Sequence, residues 1–82
     1  MIFTVHITIM PLTELLDPQG KAVHESLNKL GLSGIQDVRI GKQVDLKIEA
    51  TSKEEAMRMA DEACKNMLYN PVMEQYTITS AN

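Results

Sequence analysis

The sequence predicts an α+β sandwich of ferredoxin-like type: a four-stranded antiparallel sheet with two helices on one face, in the order βαββαβ. Three observations lead there. Apolar and polar residues alternate strictly from Phe3 to Ile9 and again from Val44 to Ala50. Two other stretches carry apolar residues at helical spacing, each behind a residue suited to cap a helix. Glycine, proline and an Asn-Pro step separate the elements.

In the first strand Phe3, Val5, Ile7 and Ile9 fall on one side and Thr4, His6 and Thr8 on the other, which is a strand with one wet face. Pro11 ends it. Asp17-Pro18 then starts a helix, because a carboxylate caps free backbone N–H groups and proline fits the first helical position. Ala22, Val23, Leu27 and Leu30 recur at helical spacing, and Gly31 suits the left-handed residue that closes many helices. Two β-rich stretches follow, Ile35 to Ile40 and Val44 to Ile48, with Gly41-Lys42-Gln43 between them as a hairpin connection. In the second stretch Val44, Leu46, Ile48 and Ala50 oppose Asp45, Lys47 and Glu49. Ser52 and Glu55 form a capping box, and Ala56, Met59, Ala60, Ala63 and Met67 mark one face of a second helix that Asn70-Pro71 stops. Val72 to Thr79 reads as the last strand. Met57, Met59, Met67 and Met73 lie in elements that must supply the core, so packing accounts for them better than a soft-metal surface. Thr4, His6, Thr8, Asp45, Lys47 and Thr77 would form a polar sheet face open to water or to a partner subunit.

With 82 residues the chain has room for one domain, spanning 1–82, whose core is small enough that disulfides, metals or oligomerisation usually supplement it. Cys64 is the only cysteine and there are two histidines, so disulfides and a structural zinc site drop out and oligomerisation remains. The formal charge of −3, without a basic cluster, disfavours nucleic acid. No apolar run approaches a membrane span and the first residues show no export signal, which points to the cytoplasm.

No catalytic constellation emerges. There is no GxGxxG and no Walker-type lysine loop, and Gly20, Gly31, Gly34 and Gly41 sit at element boundaries. His6 and His24 read as surface or interface histidines, and Cys64 as a small hydrophobe without a basic neighbour to activate it. Acylphosphatases share a related element order, but Pro11-Leu12-Thr13-Glu14 is a poor anion cradle. An RNA-recognition sheet needs stacking aromatics, and only Phe3, Tyr69 and Tyr76 are present. ACT-like small-ligand sensors also share the order, pair into dimers and carry a glycine-bearing loop near the position of Gly20.

Two segments are left over. In Leu16-Asp17-Pro18-Gln19-Gly20, a cap explains Asp17 and Pro18, whereas Gly20 in a first helical turn costs about 1 kcal/mol relative to Ala and suggests close approach of another backbone. In Gln36-Asp37-Val38-Arg39-Ile40-Gly41-Lys42, Asp37 and Arg39 share one side of a strand, opposite Val38 and Ile40. Each segment reads equally as ordinary structure or as a contact surface.

Together with Asn70-Pro71-Val72-Met73-Glu74-Gln75-Tyr76, these two segments resemble in order and spacing the PurS subunits of phosphoribosylformylglycinamidine (FGAM) synthase. The resemblance spans nearly the whole chain, with Met73 a mild departure from the family's third motif. It implies a role in purine synthesis, at the step where formylglycinamide ribonucleotide, ATP and glutamine-derived ammonia give the amidine. In that family a PurQ-type glutaminase releases ammonia and a PurL-type synthetase uses ATP and Mg²⁺. PurS dimers, which can pair further, bridge the two and help ammonia to pass. The resemblance therefore implies no catalysis and no cofactor for this chain. It suggests that Asp17, Gln19 and Gly20 in one loop, and Asp37, Arg39 and Lys42 in the other, contribute to subunit contacts.

Overall fold

A computed structural model describes residues 1–82. Strand β1 (Ile2–Pro11), helix α1 (Pro18–Lys29), strand β2 (Lys42–Glu49), helix α2 (Lys53–Ala63) and strand β3 (Glu74–Ala81) follow in that order. A π-helical turn, Cys64–Leu68, extends α2 before Asn70-Pro71.

The sheet has three strands, in the order β2-β1-β3, and both pairs are antiparallel. The longest apolar alternation takes the centre, where both edges of the strand are paired. Val5 lies opposite Leu46 and Ile7 opposite Val44, so the apolar residues of neighbouring strands share a face. Against β3 the register shifts between His6 and Ile7, a bulge that brings Ile7 opposite Ile78 and Ile9 opposite Tyr76. Helix α2 crosses this face. Its N-terminus carries half of the predicted box: the Ser52 hydroxyl accepts from the Glu55 N–H at 3.2 Å, while the Glu55 carboxylate reaches past the Ser52 N–H to accept from the Thr51 hydroxyl at 2.5 Å. Small residues on its inner side, Ala56, Ala60 and Cys64, let it lie close over Val5, Ile7 and Ile9, and all six are fully buried. No helix is long and apolar enough to cross a membrane.

Three predicted features differ. Met57, Met59, Met67 and Met73, expected to supply the core, are exposed, because the small residues Ala56, Ala60 and Cys64 take the face of α2 and its π turn that lies against the sheet. The other two concern the fourth strand and the first helix. Ile35 to Ile40 does not join the sheet as a fourth strand, and α1 does not cover it. The three-residue hairpin connection is absent because β2 already begins at Lys42, one residue beyond Gly41, too short a link for the chain to fold back. Segment 35–41 instead runs on from the end of the sheet and is fastened to what precedes α1. Asp17 Oδ2 accepts from the Ile40 N–H at 2.8 Å, the Arg39 guanidinium donates to the Pro11 carbonyl, and His24 Nε2 lies 2.6 Å from the Ile35 carbonyl oxygen. Residues 12–41 thus form an arm in which α1 and the extended segment lie together beyond the sheet. Only Gly20 of α1 is buried, and the helix makes no substantial contact with any strand or with α2. The shape follows: principal extents are 51 × 25 × 13 Å and the radius of gyration is 16.2 Å, against about 12 Å for a compact chain of this length.

Candidate functional site

The base of the arm is where the two unexplained segments meet the third segment of the resemblance. An open cleft of about 410 Å³ is lined by Leu16, Asp17 and Gln19 from the first, Ile40 from the second, and Asn70, Met73 and Glu74 from the third. Each segment is held by hydrogen bonds that its own residues make. Asp17 Oδ1 caps α1 by accepting from the Gly20 N–H at 3.0 Å, while its other oxygen holds Ile40. Asn70 opens a tight turn in which its own Oδ1 accepts from Val72 N–H at 3.0 Å and its carbonyl from Glu74 N–H at 2.7 Å. Glu74 Oε1 returns a bond to the Asn70 N–H at 2.8 Å, and the Met73 carbonyl accepts from Leu12 N–H at 2.9 Å, which ties the turn to the end of β1.

The six residues singled out from the sequence divide by position. Asp17, Gly20 and Arg39 are internal pins. The N–H groups of Gly20 and then of Ile40 hold the Asp17 carboxyl below the usual carboxylate range, and the Arg39 charge adds to this. Gly20 is buried under the Val38 carbonyl, and a Cβ at this position would overlap that oxygen. The close backbone approach anticipated for Gly20 is therefore present, and it is intramolecular. Gln19, Asp37 and Lys42 are exposed. Gln19 and Lys42 border a common cleft of about 210 Å³ with Glu74, while Asp37 and Arg39 line another, about 250 Å³, with Lys21 and His24.

Other polar groups lie away from the arm. On the open face of the sheet His6 Nδ1 is 2.6 Å from Asp45 Oδ1, which also accepts from Gln43 at 3.0 Å; these bonds, that from His6 foremost, lower the Asp45 pKa. Asp45 is the residue across from His6 in the β1–β2 register, so the pairing follows from two positions already placed on the polar face. On the covered face the Tyr76 hydroxyl donates to Asp61, which pushes the tyrosine pKa up to about 12 and lowers that of Asp61. Cys64, fully buried beside them, has its thiol pKa raised by burial and then by the Asp61 charge, which leaves it a weak nucleophile. His6 lies on the other side of the sheet and cannot serve it as a base. The arrangement suits fixed surfaces for binding.

Comparison with known proteins agrees with this geometry. The family model for PurS, phosphoribosylformylglycinamidine (FGAM) synthase, matches residues 4–82. The PurS subunit of that synthase from Mycobacterium leprae is 42% identical over 71 residues, covering 87% of this chain and 86% of the relative. The Synechocystis subunit is 39% identical over 72 residues, covering 88% and 70%. Among solved structures, Thermus thermophilus PurS superposes with a TM-score of 0.88 at 32% identity, covering all of this chain and 96% of the other. A chain of the Thermotoga maritima PurLQS structure superposes with a TM-score of 0.90 at 29% identity, covering 96% of each.

Proposed function

The chain belongs to the PurS family of FGAM synthase subunits, and from that membership we propose that it is the non-catalytic structural subunit of that complex in purine biosynthesis. Its match over 96% of a chain of PurLQS carries this reading. Its partners are a PurL-type synthetase, which uses ATP and Mg²⁺, and a PurQ-type glutaminase. It works in the cytoplasm, bridges the two and assists the transfer of ammonia between them.

The chemistry supplies a reason for such a subunit. Ammonia released into water at neutral pH is largely protonated and no longer nucleophilic, so holding the two sites on one closed path preserves its reactivity. A bridge needs stiff contact surfaces, and the arm base supplies them: the cleft bordered by Gln19, Glu74 and Lys42 is fixed from behind by Asp17, Gly20 and Arg39. The chain acts as a homodimer. The exposed α1 and the unpaired segment 35–40 support that reading, and we assign the four-stranded, ferredoxin-like sheet to the dimer.

The test is assembly. Mixed with the matching synthetase and glutaminase and followed by sedimentation, this chain should be required for a particle containing all three. Equal association of synthetase and glutaminase without it would remove the bridging role.

A further inference from the structure

The cleft of about 250 Å³ between α1 and the extended segment has no part in the contact surface described above. Its charged side chains come from two separate stretches. Lys21 and His24 stand one turn apart on the same side of α1, and Asp37 and Arg39 two residues apart on the same side of segment 35–41. None of the four belongs to an ion pair. Those of the molecule lie elsewhere and join Met1 to Glu49, His6 to Asp45, Arg58 to Glu62 and Lys65 to Asp61. Lys21 and Asp37 are exposed to solvent, and His24 and Arg39 are half-buried.

Opposite charges that line one cleft without meeting have a structural cause. Arg39 is held by the bond it donates to the Pro11 carbonyl and does not swing toward Asp37, whose Cα lies about 6.6 Å away along an extended chain. A guanidinium has further N–H donors, and these stay free for the cleft. His24 is fixed in a similar way. Its Nε2 is 2.6 Å from the Ile35 carbonyl oxygen, which only accepts, so that nitrogen carries the proton and Nδ1 of the neutral ring is an acceptor. Behind these side chains Gly20 packs against the Val38 carbonyl, and Asp17 accepts from Gly20 and Ile40, so the walls are set before a ligand arrives.

We infer that this cleft binds a free α-amino acid as its zwitterion. Charge selects the class. Among the lining residues Lys21 and Arg39 are positive and Asp17 and Asp37 negative, so the sum is zero and neither a net anion nor a net cation is favoured. The Asp17 carboxylate is already satisfied by the Gly20 and Ile40 N–H groups, which leaves Asp37 to accept from an ammonium and Lys21 with Arg39 to donate to a carboxylate. An α-amino acid carries both groups on one carbon, and the zero sum calls for an uncharged side chain beyond them. The volume lies just below the roughly 300–1,000 Å³ of sites for drug-sized ligands and suits a smaller metabolite. The inference adds a ligand to the subunit proposed above and rests on that reading only for the choice of probe, L-glutamine, which the glutaminase partner consumes.

The test is titration of the isotope-labelled chain with L-glutamine at neutral pH, followed through its amide resonances. The expected result is saturation at about millimolar concentration, because exposed charge pairs each contribute little, with the shifted amides confined to 13–16, 21–24 and 37–39. N-acetyl-L-glutamine lacks the ammonium and L-glutaminamide lacks the carboxylate, and each is expected to bind about fivefold more weakly. L-Glutamine itself should lose the same factor on the Asp37→Asn and Lys21→Gln chains, whose substitutions are at exposed positions and leave the fold intact. No saturable shift with L-glutamine overturns the assignment. Equal binding of N-acetyl-L-glutamine also overturns it and marks a surface that reads a peptide chain instead. The bridging role is scored separately, by the sedimentation assay above, so a result against this site leaves that reading standing, and a chain that binds L-glutamine here but fails to bridge leaves the site standing.

Discussion

Gly20→Ala isolates how the arm is held. Alanine in the first turn of α1 would gain up to about 1 kcal/mol of helix propensity. Against that gain, its Cβ would stand 2.7 Å from Asp17 Oδ2 and closer still to the Val38 carbonyl oxygen, which belongs to backbone and has little freedom to move. Restoring normal contact requires segment 35–40 to retreat by roughly 1 Å from α1, a displacement of the kind that costs about 1–3 kcal/mol in overpacked sites. With the full helix gain subtracted, the net effect is a loss of up to about 2 kcal/mol, or as much as roughly 15 °C in melting temperature for a domain of this size. Thermal unfolding by circular dichroism at fixed protein concentration measures it. Gly34→Ala is the control: nothing lies within 4 Å of its Cβ, so the smaller entropy of the unfolded chain should stabilise that variant by about 0.4–1 kcal/mol. A Gly20→Ala protein that melts at or above the wild-type temperature would refute the close approach of α1 and the extended segment.

Further outcomes follow from the same contacts. The carboxyl of Asp17 has a folded pKa below its ordinary value of 3.8, so its contribution to stability is present above about pH 4 and is lost as pH falls through the lowered value. The amide resonances of Gly20 and Ile40 should titrate together, below pH 3.8, and Asp17→Asn should abolish that step. Arg39→Lys keeps the charge but replaces a planar fork by a point donor, so the amides of 35–41 should exchange with solvent faster while those of β1 and β3 keep their protection. Tyr76 is neutral in the fold and its pKa is pushed up to about 12, so its stabilising bond to Asp61 is present below pH 10 and lost between there and pH 12. Its phenolate absorbance should rise only near the upper value, and Tyr76→Phe should remove that late step. Truncating Ile7→Ala at the centre of the core should cost about 2–5 kcal/mol in urea unfolding.

Much of this molecule can be read from alternation and capping. The pattern Phe3-Val5-Ile7-Ile9 states which side of β1 is buried, and the Ser52–Glu55 box states where α2 begins; both depend on residues close together in the chain. The same logic misplaces 35–40. Alternating Val38 and Ile40 with Asp37 and Arg39 shows that the segment has two faces, but a strand paired within its chain and one left open for another chain carry the same alternation. The apolar spacing of Ala22, Val23, Leu27 and Leu30 likewise announces a face on α1 without saying what it lies against. Within the site, the oddity of Gly20 was legible because a glycine in a first helical turn has a local cost. The second bond of Asp17, to Ile40, spans 23 residues and leaves no local mark. Asp61 and Tyr76 were missed for the same reason.

A subunit that bridges synthetase and glutaminase couples two chemistries that it does not itself perform. That coupling is measured with the matching synthetase and glutaminase, ATP, Mg²⁺ and formylglycinamide ribonucleotide, by following amidine formation first with glutamine and then with ammonium chloride as the nitrogen source. Turnover with glutamine is expected to require this chain, and turnover with ammonium chloride is not. Glutamine-dependent turnover that is unchanged when the chain is left out would contradict it.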